Sequence, residues 1–445
     1  MNNKINLNKI GLYKNNYGKL YEINGNLFAK QILKDFKIVS VQHTDLYFYK
    51  DGYYIKKENN ELSAILRNYL HSFITNSWTE RFEKSYLSAL RLEAPSYDSM
   101  NQEKHILNLK NCLIDLKKIK TLKHTPEFIS SIRLPVSYDS KAECPLFMKF
   151  LNEVFENNNE LISLIQEIFG YCLTPFVNSQ KAFILLGEGS NGKSVLLDIL
   201  ETLAGGNNNV SHIPLNDLSR PFARYNLIDK LINTLTEVEI NSKYGLNSEF
   251  FKNIVAGDSI NCEKKNKAEH ISFNPICKII MACNELPFTM DKSYGFKRRL
   301  IIIPFNRIFK EHEQDKLLSE KLKKELDGIF LWSLRGLKRL IKNKFIFTVP
   351  EESNKVLDEY IKSINPIVDF VEESMISSIN RISYKALLER FTGWCIKENI
   401  KGYENMSTKM FIKRLLSALK QKNYKSEIIK SNGDRFITNI SFLKG

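Results

Sequence analysis

The run Phe183-Ile184-Leu185-Leu186 passes directly into Gly187-Glu188-Gly189-Ser190-Asn191-Gly192-Lys193-Ser194 and then into Val195-Leu196-Leu197-Asp198-Ile199-Leu200. An apolar strand, a G-x-x-x-x-G-K-S loop and a helix start, in that order, constrain the fold more than any other feature. Such a loop holds phosphate only where a buried strand ends and a helix begins. Its glycines let backbone N–H groups turn inward around phosphate oxygens, and the first helical turn adds unpaired N–H groups and the positive end of its dipole. Lys193 is placed to reach the β- and γ-phosphates, and the Ser194 hydroxyl to hold Mg²⁺. The expectation is an α/β chain that binds a nucleoside triphosphate with Mg²⁺ through residues 187–194.

A length of 445 residues with 43% hydrophobic residues provides for about three domains with ordinary buried cores. The net charge of +15 points to an acidic partner, most simply nucleic acid. The seven cysteines form no C-x-x-C pair and have no histidine at zinc-ligand spacing, so neither a structural zinc site nor a disulfide framework is expected. That usage fits a reducing cytoplasm. The polar start Met1-Asn2-Asn3-Lys4 carries no signal peptide, and no apolar run is long enough to cross a bilayer.

Four regions follow from patterning. Residues 1–135 read as a small α/β domain, with strands between Ile38 and Tyr54 around an Asp51-Gly52 turn, a helix over Leu62–Phe73, and a hairpin near Leu107 and Cys112–Asp115. Residues 136–178 read as a helical connector, residues 179–345 as the nucleotide domain, and residues 366–445 as helix, helix, helix, hairpin. In that last region a helix is expected over Arg381–Lys397, another from an N-cap at Ser407 through Leu419, and a hairpin turn at Ser431-Asn432-Gly433-Asp434. This order is similar to a winged helix. Lys409, Lys413 and Arg414 lie on its third helix, and Lys420, Lys422, Lys425, Lys430, Arg435 and Lys444 make the segment basic, which suits phosphate contact.

A phosphate loop needs a carboxylate to manage the metal and the attacking water. Lys230–Thr236 reads as a strand ending at Glu237-Val238-Glu239, which offers Glu237 and, two residues on, Glu239. A third strand, Lys278–Cys283, ends at Asn284, placed to reach a γ-phosphate or the water. Arg298 and Arg299 precede another buried strand and are candidates for an arginine finger supplied to a neighbouring subunit. Between the acid and the Asn, residues 257–273 read as two short strands with a basic tip. There Lys264, Lys265 and Lys267 suit the phosphates of a single strand.

The sequence of phosphate loop, strand-end Glu, Gly257-Asp258 with a basic hairpin, Asn284-Glu285-Leu286-Pro287 and Lys297-Arg298-Arg299-Leu300 resembles the superfamily-3 helicases, most of all the primase-helicases of phages, plasmids, mobile islands and poxviruses. The resemblance runs from about Ile132 to Trp332. It implies an AAA+ P-loop core in a hexameric ring, with Lys193, Ser194, Glu237 and Asn284 hydrolysing Mg-ATP, Ser194 and Glu237 serving the metal, and Arg298 or Arg299 completing the neighbour's site. Lys264, Lys265 and Lys267 would line the channel, with movement 3′ to 5′ on single-stranded DNA. The spaced Glu237-x-Glu239 departs from the family's adjacent acids and leaves open which is catalytic. With no zinc cysteines and no paired-Asp motif in the first 135 residues, primer synthesis is not expected; a separate primase or host replication proteins become expected partners. The resulting expectation is a replicative helicase of a mobile genetic element in a bacterial cytoplasm. The alternative is an ATP-regulated initiator or scaffold that binds or melts duplex DNA at an origin without processive unwinding.

Overall fold

A computed structural model describes residues 6–443 except 119, 237–247, 265–269, 288, 290, 292, 364–365, 399, 401–402, 404–405 and 432. The chain opens with a hairpin, β1 (Leu12–Lys14) and β2 (Leu20–Ile23), then α1 (Gly25–Asp35), β3 (Ile38–Val41), β4 (Asp45–Lys50), β5 (Tyr53–Lys56), α2 (Asn59–Phe73), α3 (Glu80–Glu93) and β6 (Ser96–Tyr97). The sheet order is β5-β4-β3-β6, with β6 parallel to β3 and the other pairs antiparallel. Helix α1 begins where the Asn24 side chain accepts the Leu27 N–H at 3.1 Å. Leu62, Leu66 and Leu70, four apart on α2, are buried on one face with Phe28, Tyr86 and Leu90.

A second antiparallel sheet, β7 (Ile106–Asn108), β8 (Leu113–Asp115) and β9 (Lys120–Leu122), leads to α4 (Pro145–Val154) and α5 (Asn159–Cys172). The region expected to bind nucleotide follows as β10 (Ala182–Leu186), α6 (Lys193–Ala204), β11 (Val210–Ser211), α7 (Pro221–Tyr225), β12 (Ile232–Leu235), α8 (Ser248–Ala256), β13 (Ile260–Glu263), β14 (His270–Phe273), β15 (Lys278–Cys283), α9 (Tyr294–Lys297), β16 (Leu300–Pro304), α10 (Leu318–Leu322) and α11 (Leu326–Lys342). Its five-stranded sheet runs β11-β12-β15-β10-β16, with every pair parallel. Side chains alternate between two cores: Phe183, Leu185, Ile280, Ala282, Ile301 and Ile303 face one, while Ala182, Ile184, Ile279, Met281, Leu300 and Ile302 face the other. A sheet buried on both faces explains why these strands read as continuous apolar runs.

Helix α5 lies against α11, and their contact carries a buried charge. Glu167, fully buried on α5, accepts from Arg339 Nε at 2.7 Å and from the Thr348 N–H at 2.9 Å. Lys278 is also buried; its ammonium donates to the carbonyls of Thr174 and Ile276 and sits 5.3 Å from the Tyr171 ring centroid. Burial pushes its pKa down to about 8.

The remaining elements are α12 (Glu351–Ser363), α13 (Pro366–Ser374), β17 (Met375–Ser383), α14 (Tyr384–Lys397), α15 (Thr408–Gln421), β18 (Ile428–Ser431) and β19 (Asp434–Phe442). The order β17-β19-β18 forms an antiparallel sheet over a core of Phe370, Leu387, Phe391, Phe411 and Leu415. The helix expected over Arg381–Lys397 starts instead at Tyr384. Arg381, Ile382 and Ser383 pair with Thr438, Ile437 and Phe436, and the Ser383 hydroxyl caps the helix by accepting the Ala386 N–H at 3.2 Å. A ladder with a strand more than fifty residues away wins over local helical propensity there.

Two outcomes test this packing. Arg339→Met strands the Glu167 carboxylate and should destabilise the protein by about 3 kcal/mol, with Glu167→Gln costing less, as read from urea midpoints at pH 7. For Lys278 the folded pKa lies below the unfolded one. The unfolded chain therefore binds more protons between about pH 8 and 10.5, and stability rises with pH across that window. Wild type should gain about 2 kcal/mol relative to Lys278→Met between pH 7 and pH 10; a pH-independent gap would show that Lys278 does not titrate there.

Candidate nucleotide site

The phosphate loop leaves β10 at the carboxyl end of the parallel sheet, where open α/β folds bind ligands. Three bonds hold its backbone in place. The Gly187 N–H donates to the Cys283 carbonyl at 3.2 Å, the Phe305 N–H to the Leu186 carbonyl at 2.7 Å, and the Phe309 N–H to the Ser190 carbonyl at 2.8 Å. The strands on either side of β10 thus both brace the loop. At Gly187 a Cβ would lie 2.4 Å from the Phe305 carbonyl oxygen. Gly192 has φ +88° and caps α6, with Val154 of α4 packed behind it. Asn191, nearly fully buried, donates from its amide to the Glu188 carbonyl and ties the loop across its own turn.

Lys193 is the first residue of α6, and its ammonium donates to the carbonyls of Gly187 and Glu188, the latter at 3.2 Å. It also lies 3.4 Å from Asn284 Oδ1. Register explains the meeting: Leu186 pairs with Cys283, so the residues just beyond β10 and β15 emerge side by side. Burial lowers the Lys193 pKa. Glu188, Gly189, Ser190 and Ser194 are exposed around this point. An exposed Ser194 hydroxyl one residue past Lys193 is a hard oxygen donor of the kind Mg²⁺ takes together with phosphate oxygens. Glu237 and Glu239 lie outside the described residues, and so do Lys265 and Lys267.

The two arginines before β16 have different surroundings. Arg298 is exposed, and its Nη1 donates to Gln180 Oε1 at 2.9 Å. Arg299 is 9% exposed, its Nη1 donating to the Gly295 carbonyl at 2.6 Å. The short α9 that precedes them is fixed by Asp291, which accepts from Lys252 Nζ at 2.8 Å and from the Ser293 N–H at 2.9 Å. Burial raises the Asp291 pKa, but the hydrogen bonds from Lys252 and its neighbours outweigh it and hold the carboxyl well below the usual range. Nothing in the spacing of Lys252 and Asp291 announces this pair, because β13, β14, β15 and the Asn284–Pro287 turn separate them in sequence.

Lys264 directly follows β13. Lys409 and Lys413 are exposed on α15, and Arg414 is half-buried beside them. The described loop residues, Lys193 and Asn284 therefore converge, while the α15 residues belong to a separate part of the fold. Gly187→Ala should lower stability by about 1–3 kcal/mol, because a strand backbone must shift. Gly189→Ala, with nothing within 4 Å of its Cβ, should leave the melting temperature unchanged. Thermal denaturation of the two variants checks the contrast.

Residues 26–156 match a family model described as "D5 N terminal like", and residues 185–299 match one described as "Family of unknown function (DUF5906)". The chain is 23% identical over 452 residues to "Putative helicase L207/L206" of Acanthamoeba polyphaga mimivirus, covering 86% of this chain and 46% of that protein. It is 23% identical over 375 residues to "Putative helicase 184R" of Invertebrate iridescent virus 6, covering 71% of this chain and 37% of that protein. The chain thus spans less than half the length of these relatives. These relatives come from viruses of eukaryotes and give no support to the expected bacterial host. Among the described residues no helix is long and apolar enough to cross a membrane. Two apo structures of the NrS-1 C-terminal region share the fold, each with a TM-score of 0.53 and full coverage of that chain; they are 16% and 15% identical and cover 94% and 95% of this one. A D5-like segment followed by a DUF5906 segment, together with these viral relatives, makes the chain similar to the phage and viral primase-helicases.

Proposed function

We propose that this chain is the ATP-hydrolysing motor of a DNA helicase serving replication of a viral or other mobile genome. The observation that carries the reading is the meeting of Lys193 and Asn284 at the mouth of the phosphate loop, 3.4 Å apart. A cation at the start of α6 and an amide at the end of the adjacent strand β15 suit the γ-phosphate and the attacking water. The names of the viral relatives support the helicase role. A parallel sheet with the phosphate-loop strand flanked on both sides supports an AAA+ core of the superfamily-3 kind.

In this reading the loop N–H groups and Lys193 bind and orient the triphosphate. Asn284 orients the attacking water, and Glu237, or Glu239, accepts its proton. Mg²⁺, held by Ser194 with Glu237 serving its water shell, would neutralise charge on the β- and γ-phosphate oxygens. Arg298 acts on the ATP of the next subunit in a hexameric ring; its exposure favours it over Arg299, whose guanidinium is engaged inside its own subunit. The ring moves 3′ to 5′ on single-stranded DNA, with Lys264, Lys265 and Lys267 following its phosphates. The C-terminal order helix, strand, helix, helix, strand, strand supports a winged helix, and exposed Lys409 and Lys413 give its third helix a basic face for duplex DNA.

Unwinding of a forked duplex with a 3′ tail tests the proposal. Lys193→Ala should reduce ATP hydrolysis at least about 100-fold and abolish unwinding; unwinding that survives the substitution would sink it. DNA-stimulated hydrolysis without unwinding would favour the initiator or scaffold role. Arg298→Ala subunits should fold normally yet depress wild-type hydrolysis when mixed in, beyond simple dilution. Arg299→Ala should instead lower the melting temperature.

A further inference from the structure

The described base of the Lys-rich hairpin is tied to the N-terminal sheet. Asp45, the first residue of β4, accepts from Lys56 Nζ of β5 at 2.5 Å and lies 3.7 Å from Lys264 Nζ through its other oxygen. Both lysines face the Tyr225 ring, at 5.7 and 5.6 Å from its centroid, and Lys56 also donates to the Tyr225 hydroxyl at 3.2 Å. Tyr225 ends α7, and the residue before it, Arg224, donates to the Asn261 carbonyl of β13 at 2.7 Å. Helix α7 is thus wedged between the N-terminal sheet and the hairpin. Four residues on, Asp229 accepts from Asn101 Nδ2 of the N-terminal region at 2.9 Å, a second tie across the same contact.

The side chains of Asp45, Lys56 and Lys264 are 26%, 28% and 22% exposed, so the cluster is shielded but open to solvent at its edge. A carboxylate and a nucleic-acid phosphate are interchangeable partners for an ammonium group. We propose that Asp45 is a positioning residue for DNA engagement: its carboxylate stands in for a phosphate, holds Lys264 against the N-terminal sheet, and gives it up when the backbone of a single strand takes its place. The N-terminal region thereby sets how readily the hairpin is released. This rests on the reading of the hairpin as a DNA contact.

The full chain carrying Asp45→Asn, Asp45→Glu, Lys264→Ala or Lys56→Met, titrated with fluorescent oligo-dT at several salt concentrations, tests the idea, with hydrogen exchange of Ile260–Glu263 measured without DNA. Asp45→Asn should exchange faster there and bind DNA about two- to fivefold more tightly, the range an incompletely buried ion pair commands. Basal ATP hydrolysis should be unchanged, and Asp45→Glu should behave as wild type. Lys264→Ala should reduce the log–log salt slope by about 0.7. Lys56→Met, which removes a competing ammonium and keeps the Asp45–Lys264 ion pair, should weaken DNA binding, and this opposite sign stands even if Asp45→Asn folds poorly. Wild-type affinity in both Asp45→Asn and Lys56→Met, with affinity lost in Lys264→Ala, would overturn the proposal and leave the hairpin reading intact. Wild-type affinity in Lys264→Ala as well would overturn the hairpin reading, and the proposal with it.

Discussion

The close approach of Gly187 to the Phe305 backbone is the constraint on which the candidate site depends. A loop that must turn its N–H groups inward cannot also hold itself in place by them, so neighbouring strands hold it instead. The Cys283 carbonyl accepts the Gly187 N–H, while the Phe305 carbonyl and the Asn191 amide leave room for a hydrogen atom and no more at Gly187. That enclosure carries Lys193 into α6 at a defined angle and lets Asn284 meet it from the next strand.

The sheet can provide such a frame because it is buried on both faces. Phe183 and Leu185 belong to one core and Ala182 and Ile184 to the other, so β10 cannot slip by one residue without exchanging every side chain between layers. Stability and site geometry therefore share one register. The charges admitted to this interior are engaged there: Glu167 by Arg339, and Lys278 by carbonyls and a ring face.

The N-terminal region contributes through contact. Its sheet meets α7 and the end of β13 through Asp45, Lys56 and Asn101, residues whose chemistry is unremarkable in isolation. The D5-like segment thus meets the region of the parallel sheet through half-buried ion pairs of modest strength. Contacts of that strength suit a joint that opens, since a fully buried pair would be costly to part.

Much of this protein was legible in its sequence because the signals are local. The loop at residues 187–194, the strand over Lys278–Cys283 and the Ser407 cap each depend on neighbours in the chain, as period-two burial and capping do. The expectation failed where a distant partner decided the outcome: Arg381–Ser383 became strand because β19 offered a ladder. The arginine pair shows the same divide, since adjacency in sequence made Arg298 and Arg299 equal candidates and packing exposed one and buried the other. The sequence by itself determined that the chain carries a strand–loop–helix over residues 182–204, with glycines where the loop turns. Tertiary structure alone decided which side chains meet it, and that Lys264 leans on Asp45, because those distances are set by strand register and domain contact between residues that never meet along the chain.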